Sequence, residues 1–138
     1  MTSYDYEQGL ANFLKGGDFL EVVLENIYKS YLGQGDLVID GGANRGRHTI
    51  PMAKCVGEYG KVIAIEAIPD LAAALRAKTG NIPVNVMSNA LSDKTGSIEF
   101  SHCVERDWRS GIHARKFLET METEVIEVEM VSVDELVG

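Results

Sequence analysis

Cysteine, long apolar runs and positive charge are all scarce in this sequence of 138 residues. The two cysteines, Cys55 and Cys103, form no Cys-x-x-Cys pair, which argues against a disulfide framework or a thiolate metal site and fits a reducing compartment. No apolar run approaches the roughly 20 residues that span a bilayer. The N-terminus lacks the basic start and apolar stretch of a secretory signal. We therefore expect a cytoplasmic protein with no membrane partner and no metal.

Basic residues are outnumbered, since 13 lysines and arginines stand against 21 aspartates and glutamates, for a formal net charge of −8 at pH 7. Such a domain repels the phosphate backbone of a nucleic acid unless a local basic patch overrides the net field. Glu105 and Asp107 are interleaved with the basic cluster, which comprises Arg106, Arg109, Arg115 and Lys116. Nucleic acid is therefore not an expected partner.

What the sequence does contain is an alternation of helical and strand patterns. Apolar residues recur at three- and four-residue spacing in some segments and form short continuous runs in others, which indicates helices and buried strands. The predicted helices are an opening helix capped by Asp18, then His48–Val56 and Asp70–Lys78, and the predicted strands are Leu37–Ile39, Lys61–Ile65 and Val84–Met87. The residues that share one apolar face of the opening helix are Leu20, Val23, Leu24, Ile27, Tyr28 and Tyr31. In Asp70–Lys78 the residues expected to point inward are Leu71, Ala74 and Leu75.

Strands that alternate with helices predict an α/β fold built on a parallel sheet. After the third strand the pattern changes to strict alternation, in Ser97–Ser101 and Glu124–Val131, which favours an added antiparallel strand pair. The prediction is a Rossmann-like sheet with helices on both faces plus this pair. We divide the chain into an N-terminal helical extension, residues 1–35, and a sheet-bearing domain, residues 36–138.

Three loops of this predicted sheet look like ligand loops. A doubly wound sheet binds its ligand beyond the carboxyl ends of its strands, where Asp40–Gly46, Glu66–Ile68 and Ser88–Leu91 fall. Gly42 and Gly46 permit a tight turn and a close backbone approach, which suits a dinucleotide or S-adenosylmethionine equally.

Asp40 distinguishes between these two ligands. A carboxylate about 4 Å from a pyrophosphate is repelled by on the order of 4 kcal/mol at an effective dielectric near 20. S-adenosylmethionine instead brings a sulfonium and an ammonium group. Glu66, 20 residues after Gly46, can accept both hydrogen bonds of a ribose diol.

An adenine slot would follow from the same loops. Ala67 and Ile68 would line one side of it, and Asn89 or the backbone at Ala90 would meet the adenine edge. Simpler interpretations stay open: the glycine segment as a structural turn, Glu66 as a helix cap before Pro69, and Asn89 as a turn residue. The three loops together, in order and at strand ends, are more specific than any one of them.

Several motifs carry a resemblance to a known family. Val38–Thr49 is similar to the first motif of the FkbM-type methyltransferases, a strand followed by Asp-x-Gly-Ala-Asn-x-Gly. Lys61–Pro69 resembles the second motif, Gly-Lys-Val-x-Ala-Phe-Glu-Pro, with Ala67 in place of the family's proline. Asn89–Gly96, Ser110-Gly111 and Glu127–Leu136 resemble three further segments, so the likeness spans roughly residues 36–136.

The resemblance implies a class I methyltransferase that uses S-adenosylmethionine, commonly to methylate hydroxyls of sugars or natural products. The implied acceptor is therefore a small molecule or a saccharide. The residues implied in cofactor binding are Asp40, Gly42, Asn44, Gly46, Glu66, Ala67, Asn89 and Ala90, with Gly41 and Ala43 in the same turn. In the family a further strand ending in Asp-x-Glu-Gly follows, so we expect a truncated fold whose first strand has an open edge and can pair in a homo-oligomer.

No catalytic residue is assigned. His48 and His113 are candidate bases for the acceptor proton, and each has a solvent-exposed or backbone-contacting alternative. Trp108 can stack on a ligand or dock its loop on the core. Two other functions stay open: a non-catalytic cofactor-binding or interaction half-domain, and an NAD-dependent oxidoreductase, against which Asp40 argues.

Overall fold

A computed structural model of the chain describes residues 19–103 and 123–138. In chain order its elements are α1 (Phe19–Tyr31), β1 (Leu37–Gly41), α2 (Thr49–Val56), β2 (Lys61–Ile65), α3 (Pro69–Thr79), β3 (Val84–Met87), β4 (Ala90–Ser92), β5 (Gly96–Cys103), β6 (Thr123–Ser132) and α4 (Val133–Val137). The predicted alternation of helices and strands is confirmed, and β2 and β3 have the predicted bounds.

The first three strands form one parallel sheet in the order β1-β2-β3. Val38 lies opposite Val62, which lies opposite Val84, so every second side chain of the three strands shares a face. This confirms the predicted α/β class with a parallel sheet. Among the described residues β1 and β3 are the edges of this sheet.

Helices α2 and α3 cover one face of the parallel sheet. Ala53 and Val56 of α2 pack against Val62 of β2, and Leu75 of α3 packs against Ala64 of β2. Val56, Val62 and Leu75 are almost completely buried. Full burial of one such side chain contributes about 1.5–3 kcal/mol, so these contacts hold the helices at fixed positions beside the strand ends.

The opposite face is covered by the C-terminal part of the described chain. Ile63 and Ile65 of β2 pack against Val131 of β6, with Leu136 of α4 beside them. Ser132 caps α4, because its hydroxyl accepts a hydrogen bond from the Glu135 amide at 3.2 Å. Helices therefore contact both faces of the parallel sheet, α2 and α3 on one face and α4 on the other.

A second sheet has the order β4-β6-β5. Strands β5 and β6 are antiparallel, with Ile98 opposite Val128, which confirms the predicted pair. Strand β4 pairs parallel with β6 and was not predicted, since its residues were assigned to a ligand loop. Three residues are too few to show an alternation, so only the pairing with β6 reveals this strand.

Most of the predicted apolar face of α1 is exposed. Tyr28 is 8% exposed, but Leu20, Leu24, Ile27 and Tyr31 are all exposed, Leu20 to 74% and Tyr31 to 83%. The helix contacts α2, and the side that carries Tyr28 faces it. Helical spacing shows that a helix has an apolar stripe, but its packing partner decides which side is covered.

In α3 the buried face differs from the predicted one. Ala72 and Leu75 are buried, whereas Ala74 is exposed.

Within the described residues, no helix combines the length and the apolar character that crossing a bilayer requires.

Candidate functional site

The turn after β1 bends sharply towards the end of β2. The amides of Gly42 and Ala43 both donate to the carbonyl of Ile65, at 2.9 and 3.0 Å. Gly42 has φ +77° and Asn44 has φ +49°, in the left-handed region that side chains disfavour. A Cβ built on Gly42 would have no neighbouring atom within 4 Å. The backbone at Gly42 therefore borders open space.

Gly46 also has a positive φ, +84°, but for a different reason. A Cβ there would lie 2.6 Å from Cδ1 of Leu75, which is 1% exposed. Its glycine lets α3 pack closely against the turn. The two glycines predicted to serve a ligand thus differ: Gly42 faces open space and Gly46 faces the core.

A cleft of about 480 Å³ lies between this turn and α1. It is lined by Asp40, Gly42, Ala43, Asn44, Arg47 and His48 from the turn and by Glu21 and Leu24 from α1. Asp40, Gly42, Ala43 and Asn44 of the predicted site therefore lie together. The wall contributed by α1 was not predicted, because nothing local in the sequence shows which element covers the turn.

Asp40 is held from within the fold. Its Oδ2 accepts a hydrogen bond from the hydroxyl of Thr49 at 2.5 Å, and Thr49 is completely buried. Bonds to a charged acceptor are short and roughly twice as strong as neutral ones. Thr49 therefore positions the carboxylate at the cleft, and sequence reasoning missed it. The available signal was a hydroxyl residue in the first turn of the following helix.

Glu66 is 5% exposed and joins two of the predicted loops. One carboxylate oxygen accepts from the amide of Asn44 at 2.7 Å, and the other accepts from the amide of Ile68 at 2.9 Å. A carboxylate offers about four lone-pair sites, so each oxygen keeps acceptor capacity. Glu66 fixes the glycine turn to the start of α3.

The residues predicted to surround adenine lie against β6. Ala67 and Ala90 are buried in one apolar cluster with Val128 and Met130. The side-chain amide of Asn89 donates to the carbonyl of Glu129 at 3.3 Å. These residues form a group separate from the cleft.

The two groups approach each other at Gly41. A Cβ on Gly41 would lie 2.8 Å from Cδ2 of Leu91, the residue after Ala90. A side chain at this position would therefore displace the Leu91 side chain, which is 38% exposed.

His48 contacts two side chains of α1. Its Nδ1 lies 3.2 Å from the Tyr28 hydroxyl, its Nε2 contacts the Glu21 carboxylate, and the Tyr28 and His48 rings meet edge to face at 5.6 Å. Burial raises the pKa of the Tyr28 phenol to about 12, and the nearby Glu25 carboxylate adds to this. Both ring nitrogens of this candidate base are thus engaged by α1.

Glu25 holds two cations at the same wall. Its Oε1 lies 2.5 Å from Nζ of Lys29 and its Oε2 lies 2.6 Å from Nη1 of Arg47. The hydrogen bond from Lys29 is the largest cause that lowers the pKa of Glu25, and Arg47 lowers it further. Glu25 therefore stays ionised beside the cleft.

His113 and Trp108 lie outside the described residues. Within residues 19–103 and 123–138, no group of three or more His, Cys, Asp and Glu side chains is placed to hold a metal ion.

Comparisons with known proteins give partial matches only. No family model and no curated protein matches the chain. Among solved structures, a protein described as an rRNA-methylase from Clostridium thermocellum is 24% identical, with a TM-score of 0.46, over 48% of this chain and 39% of its own. A SAM-dependent methyltransferase from Aquifex aeolicus is 30% identical, with a TM-score of 0.44, over 47% of this chain and 37% of its own. A SAM-dependent O-methyltransferase from Thermotoga maritima is 27% identical, with a TM-score of 0.43, over 47% of this chain and 27% of its own.

The matched region thus spans about two-fifths or less of each of these proteins and under half of this chain. Likenesses of this extent carry no weight for the function.

Proposed function

We propose that this chain is the cofactor-binding part of an S-adenosylmethionine-dependent methyltransferase of the FkbM type. Its acceptor would be a hydroxyl oxygen on a small molecule or saccharide, and its compartment the cytoplasm. One observation carries the proposal: Asp40, Gly42, Ala43 and Asn44 line a single cleft beyond the carboxyl end of β1. That is where a doubly wound sheet binds its ligand.

The residues at this cleft suit S-adenosylmethionine. Open space at Gly42 leaves room for a ligand against the backbone, and Asp40 offers a negative charge held in place by Thr49. A cationic sulfonium and an ammonium are attracted by that charge, whereas the pyrophosphate of a dinucleotide is repelled. This favours S-adenosylmethionine over NAD.

The bound cofactor would supply a methyl group on a positively charged sulfur. Asp40 and the backbone of Gly42 to Asn44 would hold its amino-acid side, and the remaining lone pairs of Glu66 would accept from the ribose hydroxyls. A net charge of −8 favours a neutral or cationic acceptor over a nucleic acid.

Isothermal titration of the chain with S-adenosylmethionine and S-adenosylhomocysteine tests the proposal. We expect saturable 1:1 binding, and we expect Asp40→Asn and Glu66→Gln each to weaken it about tenfold, which corresponds to about 1.4 kcal/mol. Asp93→Asn is the matched control, because Asp93 is exposed and does not line the cleft.

Unchanged affinity in both site variants would contradict the site assignment. A folded chain that binds neither compound but responds to NAD would indicate the oxidoreductase instead. A folded chain that binds none of them would favour the non-catalytic interaction module.

A further inference from the structure

Helix α1 forms one wall of the cleft but is attached to the fold differently from α2 and α3. Its residues Glu21 and Leu24 line the cleft opposite Asp40. Helices α2 and α3 each contribute to a buried apolar cluster, whereas none of these clusters, within the part of the chain that the structure describes, contains a residue of α1. Instead, the exposed side chains of α1 include Leu20, Leu24, Ile27 and Tyr31.

The contacts that hold α1 in place include a small group at the start of α2. The Tyr28 hydroxyl lies 3.2 Å from Nδ1 of His48, the two rings meet edge to face, and the Glu21 carboxylate contacts Nε2 of His48. His48 and Glu21 also line the cleft. A single hydrogen bond or ring pair contributes little to stability. The contacts that dock α1 therefore also close the cleft, and they are weaker than a shared apolar core.

The chain that follows α1 is anchored to the rest of the fold almost at once. The amide of Gly35 donates to the carbonyl of Val56 at 2.8 Å, at the end of α2. The amide of Gly33 donates to the carboxylate of Asp36 at 2.8 Å, which ties Gly33 to the anchored segment. Because hinges are a few residues at the ends of elements, the joint on which α1 can pivot lies at Leu32.

We propose that α1 is a lid over the cleft, which pivots at Leu32 to admit a ligand and is latched shut by the contact of Tyr28 with His48. With the lid shut, a ligand touches Asp40 on one side and Leu24 on the other, whereas with the lid open it touches the turn alone. A ligand that binds the shut form more tightly shifts the lid towards it. The inference rests on the proposed function for the identity of the ligand, but the latch can be tested without one.

Hydrogen exchange of the full chain without ligand tests the latch. We expect the amides of α1 to be at least about tenfold less protected than those of α3, because a weakly docked helix opens without the rest of the fold. Tyr28→Phe removes the hydroxyl contact and should lower the protection of α1 about fivefold while leaving α3 unchanged. Tyr31→Phe is the matched control, since this side chain of the same helix is 83% exposed, and it should change neither helix.

Exchange in the presence of S-adenosylhomocysteine tests the lid. At saturation we expect the protection of α1 to rise at least about tenfold and that of α3 to change little. Because the ligand leaves through the open form, Tyr28→Phe should also raise its dissociation rate about fivefold, as measured by surface plasmon resonance. Tyr31→Phe should leave that rate unchanged.

Several results would overturn the inference while leaving the proposed function in place. They are equal protection of α1 and α3 in the ligand-free chain, an equal loss of protection in both helices of Tyr28→Phe, and S-adenosylhomocysteine binding that leaves α1 unaffected. A folded chain that binds neither S-adenosylhomocysteine nor S-adenosylmethionine would contradict the proposed function, and the ligand-free comparison would still decide whether α1 is latched by Tyr28.

Discussion

At the scale of single residues, the turn after β1 uses left-handed backbone in two ways. Gly42 has this conformation beside open space, whereas Gly46 has it beside the buried Leu75 side chain. Gly35 gives a third case, with φ +90° and no atom within 4 Å of a Cβ built there. The backbone strain and the packing clash can therefore be separated by substitution.

We expect Gly35→Ala to lower the free energy of unfolding by about 1 kcal/mol, the strain of left-handed backbone alone. Gly46→Ala should lower it by about 3 kcal/mol, because the new methyl group also overpacks against Leu75. Leu75 is buried and cannot move aside into solvent. Urea unfolding at one pH measures both values. Equal losses in the two variants would show that the turn can shift away from Leu75.

Other residues of the site depend on partners far away in the chain. Thr49 holds Asp40, and Glu66 binds the amide of Asn44, 22 residues before it. A change at Thr49 is expected to alter the cleft without touching a ligand, whereas a change at Glu66 would alter both the turn and the proposed ribose contact. Thr49 positions the site and would be overlooked in a search for ligand contacts.

At the scale of elements, the docking of α1 depends on one aromatic residue more than on its ion pairs. Exposed salt bridges contribute about 0–1 kcal/mol each, whereas the buried ring of Tyr28 removes a large apolar surface from water. Because the same burial raises the pKa of the phenol to about 12, the contribution of Tyr28 depends on pH.

The direction of this pH dependence follows from the difference between the phenol pKa in the folded and unfolded chain. An unfolded phenol loses its proton near pH 10 and the folded one near pH 12, so the stabilisation is complete below about pH 10 and is lost as the pH rises towards 12. The difference in unfolding free energy between the parent and Tyr28→Phe should therefore shrink between pH 9 and about pH 11.5, measured by urea unfolding. Tyr31→Phe is the control, because that side chain is 83% exposed. A difference for Tyr28→Phe that does not vary with pH would contradict this account.

At the scale of the whole molecule, the parallel sheet has two edges within residues 19–103 and 123–138, and these edges differ. At the β3 edge, Nε of Arg76 donates a hydrogen bond to the carbonyl of Val86 at 3.2 Å. This bond satisfies a backbone acceptor that faces away from β2. At the β1 edge, Leu37 is 53% exposed. Exposed apolar edge strands are templates for pairing with another chain.

We therefore expect the chain to self-associate through β1 as its concentration rises, and Leu37→Lys to reduce this association by placing a charge on the edge. Sedimentation velocity over a range of concentrations measures the effect. Val137→Lys is the matched control, since Val137 is 58% exposed but lies on α4 and not on the sheet edge. A parent chain that stays monomeric throughout would rule out pairing through this edge.

The sequence by itself determined the alternation of elements and the bounds of β2 and β3, because a strand buried on both faces appears as a short apolar run. It also placed Asp40 and the residues from Gly42 to Asn44 at one strand end, since that follows from chain order and parallel pairing alone.

Only the tertiary structure decided which side of α1 packs, how Asp40 and Glu66 are held, and that Val128 and Met130 cover Ala67 and Ala90. Each of these depends on a contact between elements distant in sequence. Local periodicity encodes the conformation of a segment and the apolar face it offers, whereas the partner that covers that face is selected by packing of the whole chain.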